Sequence, residues 1–164
     1  MAGRPAAPTF IVPPNDVMTA ADIAAGRWRL GPLYHQLSTT NQCLNWVAKR
    51  RLIHNVVTCN NCNGPASLVK REQHLDGYRW QCRHCGFTKA IRANSFFERS
   101  HLPIAKIVIA MYCWSCDMPQ QIICREADIS LGHTVVDWCR FFRDEAENYV
   151  ELATRQKLGD GRQW

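Results

Sequence analysis

From the N-terminus the chain shows no regular apolar period before residue 37. Residues 1–36 are rich in alanine and proline, which predicts a poorly ordered arm; within it the run GRWRLGPLYHQ (26–36) is too short to assign. From Ser38 the pattern changes. Ser38, Thr39 and Thr40 offer helix caps, and Leu44, Val47, Ala48 and Leu52 recur at helical spacing, so an N-terminal helix is expected within 37–55. Lys49, Arg50 and Arg51 would fall in its last turn, where cations suit the helix dipole. Beyond it the period shortens to two. Ala66 to Arg71 reads as a strand, Asp76-Gly77 as a hairpin turn, and Tyr78, Trp80 and Cys82 alternate with Arg79, Gln81 and Arg83. Phe87 to Arg92 reads as a third strand, giving a small antiparallel ribbon over 56–100.

From Pro103 the period is helical again. Ile104, Ile107, Val108, Met111 and Tyr112 form one face, and Pro119 opens a second, shorter helix with Ile122, Ile123 and Ala127. After Asp128-Ile129-Ser130, with Ser130 as the expected cap, a third helix is predicted to bury Val135, Trp138, Cys139, Phe142, Ala146 and Tyr149. The short second helix, tight turn and longer third helix match a helix-turn-helix over 101–155. A polar tail, 156–164, follows. The fold class predicted is α+β and mostly α: an N-terminal helix, a short-stranded ribbon and a helical unit.

Composition changes this picture in two places. No apolar run approaches the ~20 residues that span a bilayer, and prolines at 5, 8, 13 and 14 interrupt any export signal, so an intracellular, membrane-free protein is expected. The net charge of +6 is unevenly spread. It is +1 over residues 1–41, +7 over 42–101 and −2 over 102–164. The basic middle segment favours a polyanion, with a solvated charged face as the plainer alternative.

That same segment carries the chemistry. Four of the nine cysteines, Cys59, Cys62, Cys82 and Cys85, are spaced C-x2-C-x19-C-x2-C. Each pair lets two thiolates from one turn reach one ion, and the spacer is the length of a hairpin that returns the second pair to the first. One structural Zn²⁺ is therefore expected, in a closed site without an open position for chemistry. Gly64 and Gly86, just after the pairs, would supply backbone freedom. His74, His84 and His101 read as surface groups or nucleic-acid contacts, because four cysteines already close a tetrahedral site. Cys113-Trp-Ser-Cys116 is a third C-x2-C, but it lies in an apolar helix without a βαβ context. Cys113, Cys116, Cys124 and Cys139 read as small buried hydrophobes rather than a redox pair.

Three stretches carry a family resemblance: Asp76-Gly-Tyr-Arg-Trp-Gln-Cys82-Arg-His-Cys85, Ser95-Phe-Phe-Glu98-Arg-Ser100-His-Leu-Pro103, and Thr134-Val-Val-Asp-Trp138-Cys-Arg140-Phe-Phe-Arg143. In this order, over roughly 38–155, they resemble the N-terminal region of Merlin-type DDE transposases, relatives of bacterial insertion-sequence transposases. The resemblance implies a DNA-binding module that finds transposon ends, followed in the family by a catalytic domain with three metal-binding carboxylates. This chain stops near Leu158–Gly161, about where that domain would begin, so no catalytic residue and no enzyme activity of its own is expected.

The function expected is zinc-dependent DNA binding, in a nucleus or, for a bacterial chain, the cytoplasm. Lys49, Arg50, Arg51, Arg71, Arg79, Arg83, Lys89 and Arg92 are candidate phosphate contacts. His133, Thr134, Asp137 and Arg140, on the outer face of the third helix near its start, are candidate base readers. A homodimer, or a partner chain that carries a catalytic domain, is the associated assembly. The competing expectation is a protein–protein interaction module that uses the ribbon and the acidic helices. A third class is an enzyme, redox or nuclease. Asp144, Glu147 and Glu151 share a helix face, but a solvated surface accounts for them.

Overall fold

A computed structural model describes residues 9–159, and of residues 153 and 155–159 the backbone alone. The fold is α+β and mostly helical, with a three-stranded antiparallel sheet. The chain divides into two compact units, Met1–Ala105 and Lys106–Trp164.

In the first unit the expected arm is replaced by structure. A 3-10 turn at Pro14–Asp16 is followed by helices α1 (Ala20–Ala25) and α2 (Leu30–Gln36). Thr19 opens α1 with a capping box closed by Asp22. The ordering comes from partners far along the chain, which no local period registers. Asn55 accepts from Val12 N at 2.8 Å through Oδ1 and donates to Val12 O at 2.9 Å through Nδ2. Met18 N donates to Lys49 O at 2.8 Å. Residues 1–8 of the expected arm lie outside the described residues.

Helix α3 (Thr40–Lys49) is the predicted N-terminal helix. Thr39 caps it by accepting from Gln42 N, while the Ser38 and Thr39 hydroxyls donate to Gln42 Oε1 at 2.8 and 2.9 Å. It buries Cys43, Leu44, Trp46, Val47 and Ala48; Leu52, expected on the same face, is half-buried beyond the helix end. Arg51 terminates it in the left-handed region at φ 60, with Leu52 N donating to Val47 O and Arg51 N to Ala48 O. That pair of bonds is the Schellman closure.

Strands β1 (Ala66–Lys70), β2 (Tyr78–Cys82) and β3 (Thr88–Ala90) lie in the order β1-β2-β3. The register pairs Leu68 with Trp80 and Trp80 with Lys89. Trp80, Ile91 and Phe97 are fully buried. The third strand is shorter than the predicted Phe87–Arg92, because the chain turns at residues 91–94 and Arg92 goes inward.

In the second unit lies most of helix α4 (Ile104–Ser115), which begins two residues earlier, together with α5 (Gln120–Ala127) and α6 (His133–Gly159). Pro119 sits at the N-cap of α5, and Asp128 ends it at φ 50 while its carboxylate and carbonyl both accept from Lys106 Nζ. Trp114, Trp138, Phe141 and Phe142 form an aromatic cluster with neighbouring centroids 5.5–6.4 Å apart. Two expectations fail on α6. It starts after Ser130 as expected but only at His133, with Val136 N donating to Gly132 O, so Ser130 is not its cap. Its burial stops at Phe142: Ala146 is exposed and Tyr149 is 74% exposed. The apolar period continues in the sequence, but α4 and α5 are too short to cover it.

Candidate metal centre

The four cysteines meet at the end of the sheet. Cys59 and Cys62 lie in the loop before β1, Cys82 ends β2 and Cys85 precedes β3. The two turns share one backbone pattern. Cys59 N donates to Gly64 O and Asn63 N to Cys59 O, just as Cys82 N donates to Phe87 O and Gly86 N to Cys82 O. The left-handed residue in each turn is therefore Asn63 (φ 55) and Gly86 (φ 75). The first turn obtains its freedom from Asn63, not from Gly64 as expected; Asn is the side-chain-bearing residue that best tolerates this region.

All four Sγ atoms lie within 4.8 Å of one another, with Cys59–Cys85 at 3.3 Å and Cys62–Cys82 at 3.5 Å. A tetrahedral ion with metal–sulfur bonds of ~2.3 Å needs sulfurs ~3.8 Å apart, so the cluster has the required size. Backbone amides prepare it to carry negative charge. Donation from Cys85 N and His84 N draws Cys82 down to about 6. Cys62, although Gly64 N donates to it, is pushed up to about 12 by the adjoining Cys82 sulfur. Four thiolates thus need a cation among them. Cys59 and Cys82 are buried, Cys62 is half-buried and Cys85 exposed. His74, His84 and His101 are exposed.

The other candidate residues do not form one patch. Arg71 and Arg79 share a sheet face, where Arg71 Nη2 donates to Gln81 Oε1 at 3.4 Å. Lys89 lies on the opposite face, across from Trp80. Arg83 and Arg51 are exposed. Lys49 pairs with Asp16 at 3.4 Å. Arg92 is removed from the list of phosphate contacts: it is 6% exposed, holds Asp76 through Nε and Nη2 at 2.7 and 2.6 Å, and donates from Nη1 to the carbonyls of Ser100 and Leu102. Asp76 had signalled only a turn, and nothing local marks its partner sixteen residues on. Arg50 is half-buried and stacked on Trp28 and Trp46.

His133, Thr134, Asp137 and Arg140 are all exposed on α6, opposite the buried Val135, Cys139 and Phe142. Of the third cysteine pair, Cys113 is buried and burial pushes its thiol up to about 11, whereas Cys116 is exposed, contrary to its expected burial. Cys124 and Cys139 are buried as expected. Among the described residues no helix is long and apolar enough to cross a membrane. No protein-family model, curated protein or solved structure matches the chain.

Proposed function

We propose that this chain is a zinc-dependent DNA-binding module, resembling the N-terminal region of Merlin-type transposases, without catalytic activity of its own. The observation that carries the metal is the cluster of four sulfurs on two matching turns. An all-thiolate set selects a soft, tetrahedral ion, and zinc fits it without redox demands. Cys59, Cys62, Cys82 and Cys85 hold the ion, whose contribution is to fold the ribbon. The charge of +7 over residues 42–101 supports a polyanion as partner. Phosphate contacts fall to Arg51, Arg71, Arg79, Arg83 and Lys89, with Lys49 at the margin. Base readout falls to His133, Thr134, Asp137 and Arg140 on α6. Gel-shift titration of duplex DNA, before and after chelation, tests the reading. Arg79→Glu with Arg83→Glu is expected to weaken binding and flatten its salt dependence; unchanged binding would remove the ribbon as the anchor.

A second reading, a protein–protein module, is favoured by the uncovered apolar residues of distal α6. Tyr149 is 74% exposed, and Val150 and Leu152 are each 61% exposed. Light scattering across a concentration series distinguishes it: a self-associating chain that leaves duplex DNA unbound supports this reading over the first.

A further inference from the structure

A second candidate site lies in the first unit, away from the sulfurs. Met18, Trp28, Gln42, Trp46, Lys49 and Arg50 line a cleft of about 380 Å³ that runs along α3, with the segment before α2 and the end of α2 opposite it. That volume lies within the usual range for small-ligand sites. Its walls are flat and cationic. The Arg50 guanidinium carbon sits 4.1 Å from the Trp28 ring centroid and 3.9 Å from that of Trp46, and the two indoles meet edge to face at 5.5 Å. Arg50 Nη1 donates to Trp46 O at 3.0 Å, which fixes the guanidinium in place.

The assembly is rigidly built for a surface feature. A Cβ at Gly26 would come within 2.9 Å of Trp28 Nε1, so glycine there gives the indole its seat. Trp46 is 7% exposed, and its Nε1 has no hydrogen-bond partner; neither does Arg50 Nε. Lys49 Nζ lies at the same cleft, with its side chain 41% exposed and a 3.4 Å pair to Asp16 as its anionic contact. Gln42 turns its oxygen to the Ser38 and Thr39 hydroxyls, which leaves its amide NH2 as a donor. Two cations, an amide donor and planar aromatic surfaces together describe a receptor for an aromatic anion.

We propose that this cleft binds a nucleotide, its base against the indole and guanidinium planes and its phosphate at Lys49 and Arg50. Stacking on indole and guanidinium tolerates any base, because every base presents a π face. The ammonium and guanidinium supply the charge for the phosphate. The same chemistry is offered by a free mononucleotide and by an unpaired nucleotide in a DNA strand. A duplex keeps its bases stacked and hidden. The cleft therefore takes its ligand whether or not the ribbon binds a duplex.

The test uses the full zinc-loaded chain and no duplex. Calorimetric titrations with AMP, adenosine, inorganic phosphate and a ten-nucleotide single strand of dA separate the contributions. AMP is expected to bind more tightly than adenosine or phosphate, and Trp28→Ala to weaken it about tenfold to a hundredfold, with Trp28→Phe recovering most of the loss. Lys49→Gln is expected to weaken AMP while leaving adenosine unchanged, and it serves as the deciding variant should Trp28→Ala fail to fold. Tight binding of the dA strand with weak AMP assigns the site to an unpaired nucleotide in a strand; the reverse assigns it to a free nucleotide. No binding of either, or AMP affinity equal to that of phosphate and indifferent to Trp28→Ala and Lys49→Gln, overturns the proposal.

Discussion

Arg51 closes α3 in a left-handed conformation at φ 60, at the position where helices most often place glycine. A side chain there costs roughly 1–2 kcal/mol, part of which glycine returns through its larger unfolded-state entropy. Arg51→Gly is accordingly expected to raise stability by about 0.5–1 kcal/mol in urea unfolding. If instead it lowers the midpoint, Arg51 makes a compensating contact that outweighs its backbone strain. Arg92 presents the opposite case. Its guanidinium satisfies the Asp76 carboxylate and two backbone carbonyls in a buried setting. Removing one partner of such a pair leaves the other charge unpaired and desolvated, at a cost of about 3–5 kcal/mol. Arg92→Met should therefore lower stability by that order, and Arg92→Met combined with Asp76→Leu by less. A double variant no better than the single would mean that the two carbonyls, not the carboxylate, are what the arginine holds.

At the scale of elements, the ribbon over 56–92 buries few apolar side chains besides its cysteines, Val57, Ala66, Trp80 and Ile91, and metal binding on the order of 10 kcal/mol is what folds a segment of this kind. Chelation is expected to release one zinc per chain and to speed amide exchange over residues 56–92. Cys82→Ala should do the same, and an unchanged exchange pattern with stoichiometric zinc in that variant would refute the role. This element was legible in the sequence because its signals are local: paired cysteines, Asp76-Gly77 and the alternation from Tyr78 to Arg83. The start and end of α3 were legible for the same reason, through Thr39 and the basic last turn. What escaped was made by distant partners. Val12 with Asn55, Trp28 with Arg50, and Asp76 with Arg92 each join residues whose neighbours in sequence carry no matching pattern. On α6 the failure ran the other way. A continuous apolar period from Val135 to Tyr149 predicted burial that the neighbouring helices are not long enough to supply.

For the whole molecule, the proposal of DNA binding makes two demands that are measured separately. Binding should weaken with salt at a log–log slope of about −0.9 per phosphate contact, and loss of Arg83 should reduce that slope by roughly one unit. Base preference should reside on α6. There Arg140→Ala is expected to cost ~1–3 kcal/mol on a preferred site and little elsewhere, whereas an equal loss on every sequence would make Arg140 a phosphate contact. Cutting and joining are a different matter. Strand transfer by two ions needs carboxylates that hold them ~3.5–4 Å apart. Asp144, Glu147 and Glu151, which share a face of α6, are all exposed, and among the described residues the four cysteines are the one group of three or more ligating side chains close enough to hold an ion. Exposed carboxylates on one helix face repel each other and hold a divalent ion weakly, because water competes for every ligand position. Purified protein with magnesium or manganese is therefore expected to leave supercoiled DNA unnicked while still retarding it in a gel. Nicking that survives further purification and disappears in Asp144→Asn or Glu147→Gln would show instead that this helix is a catalytic surface.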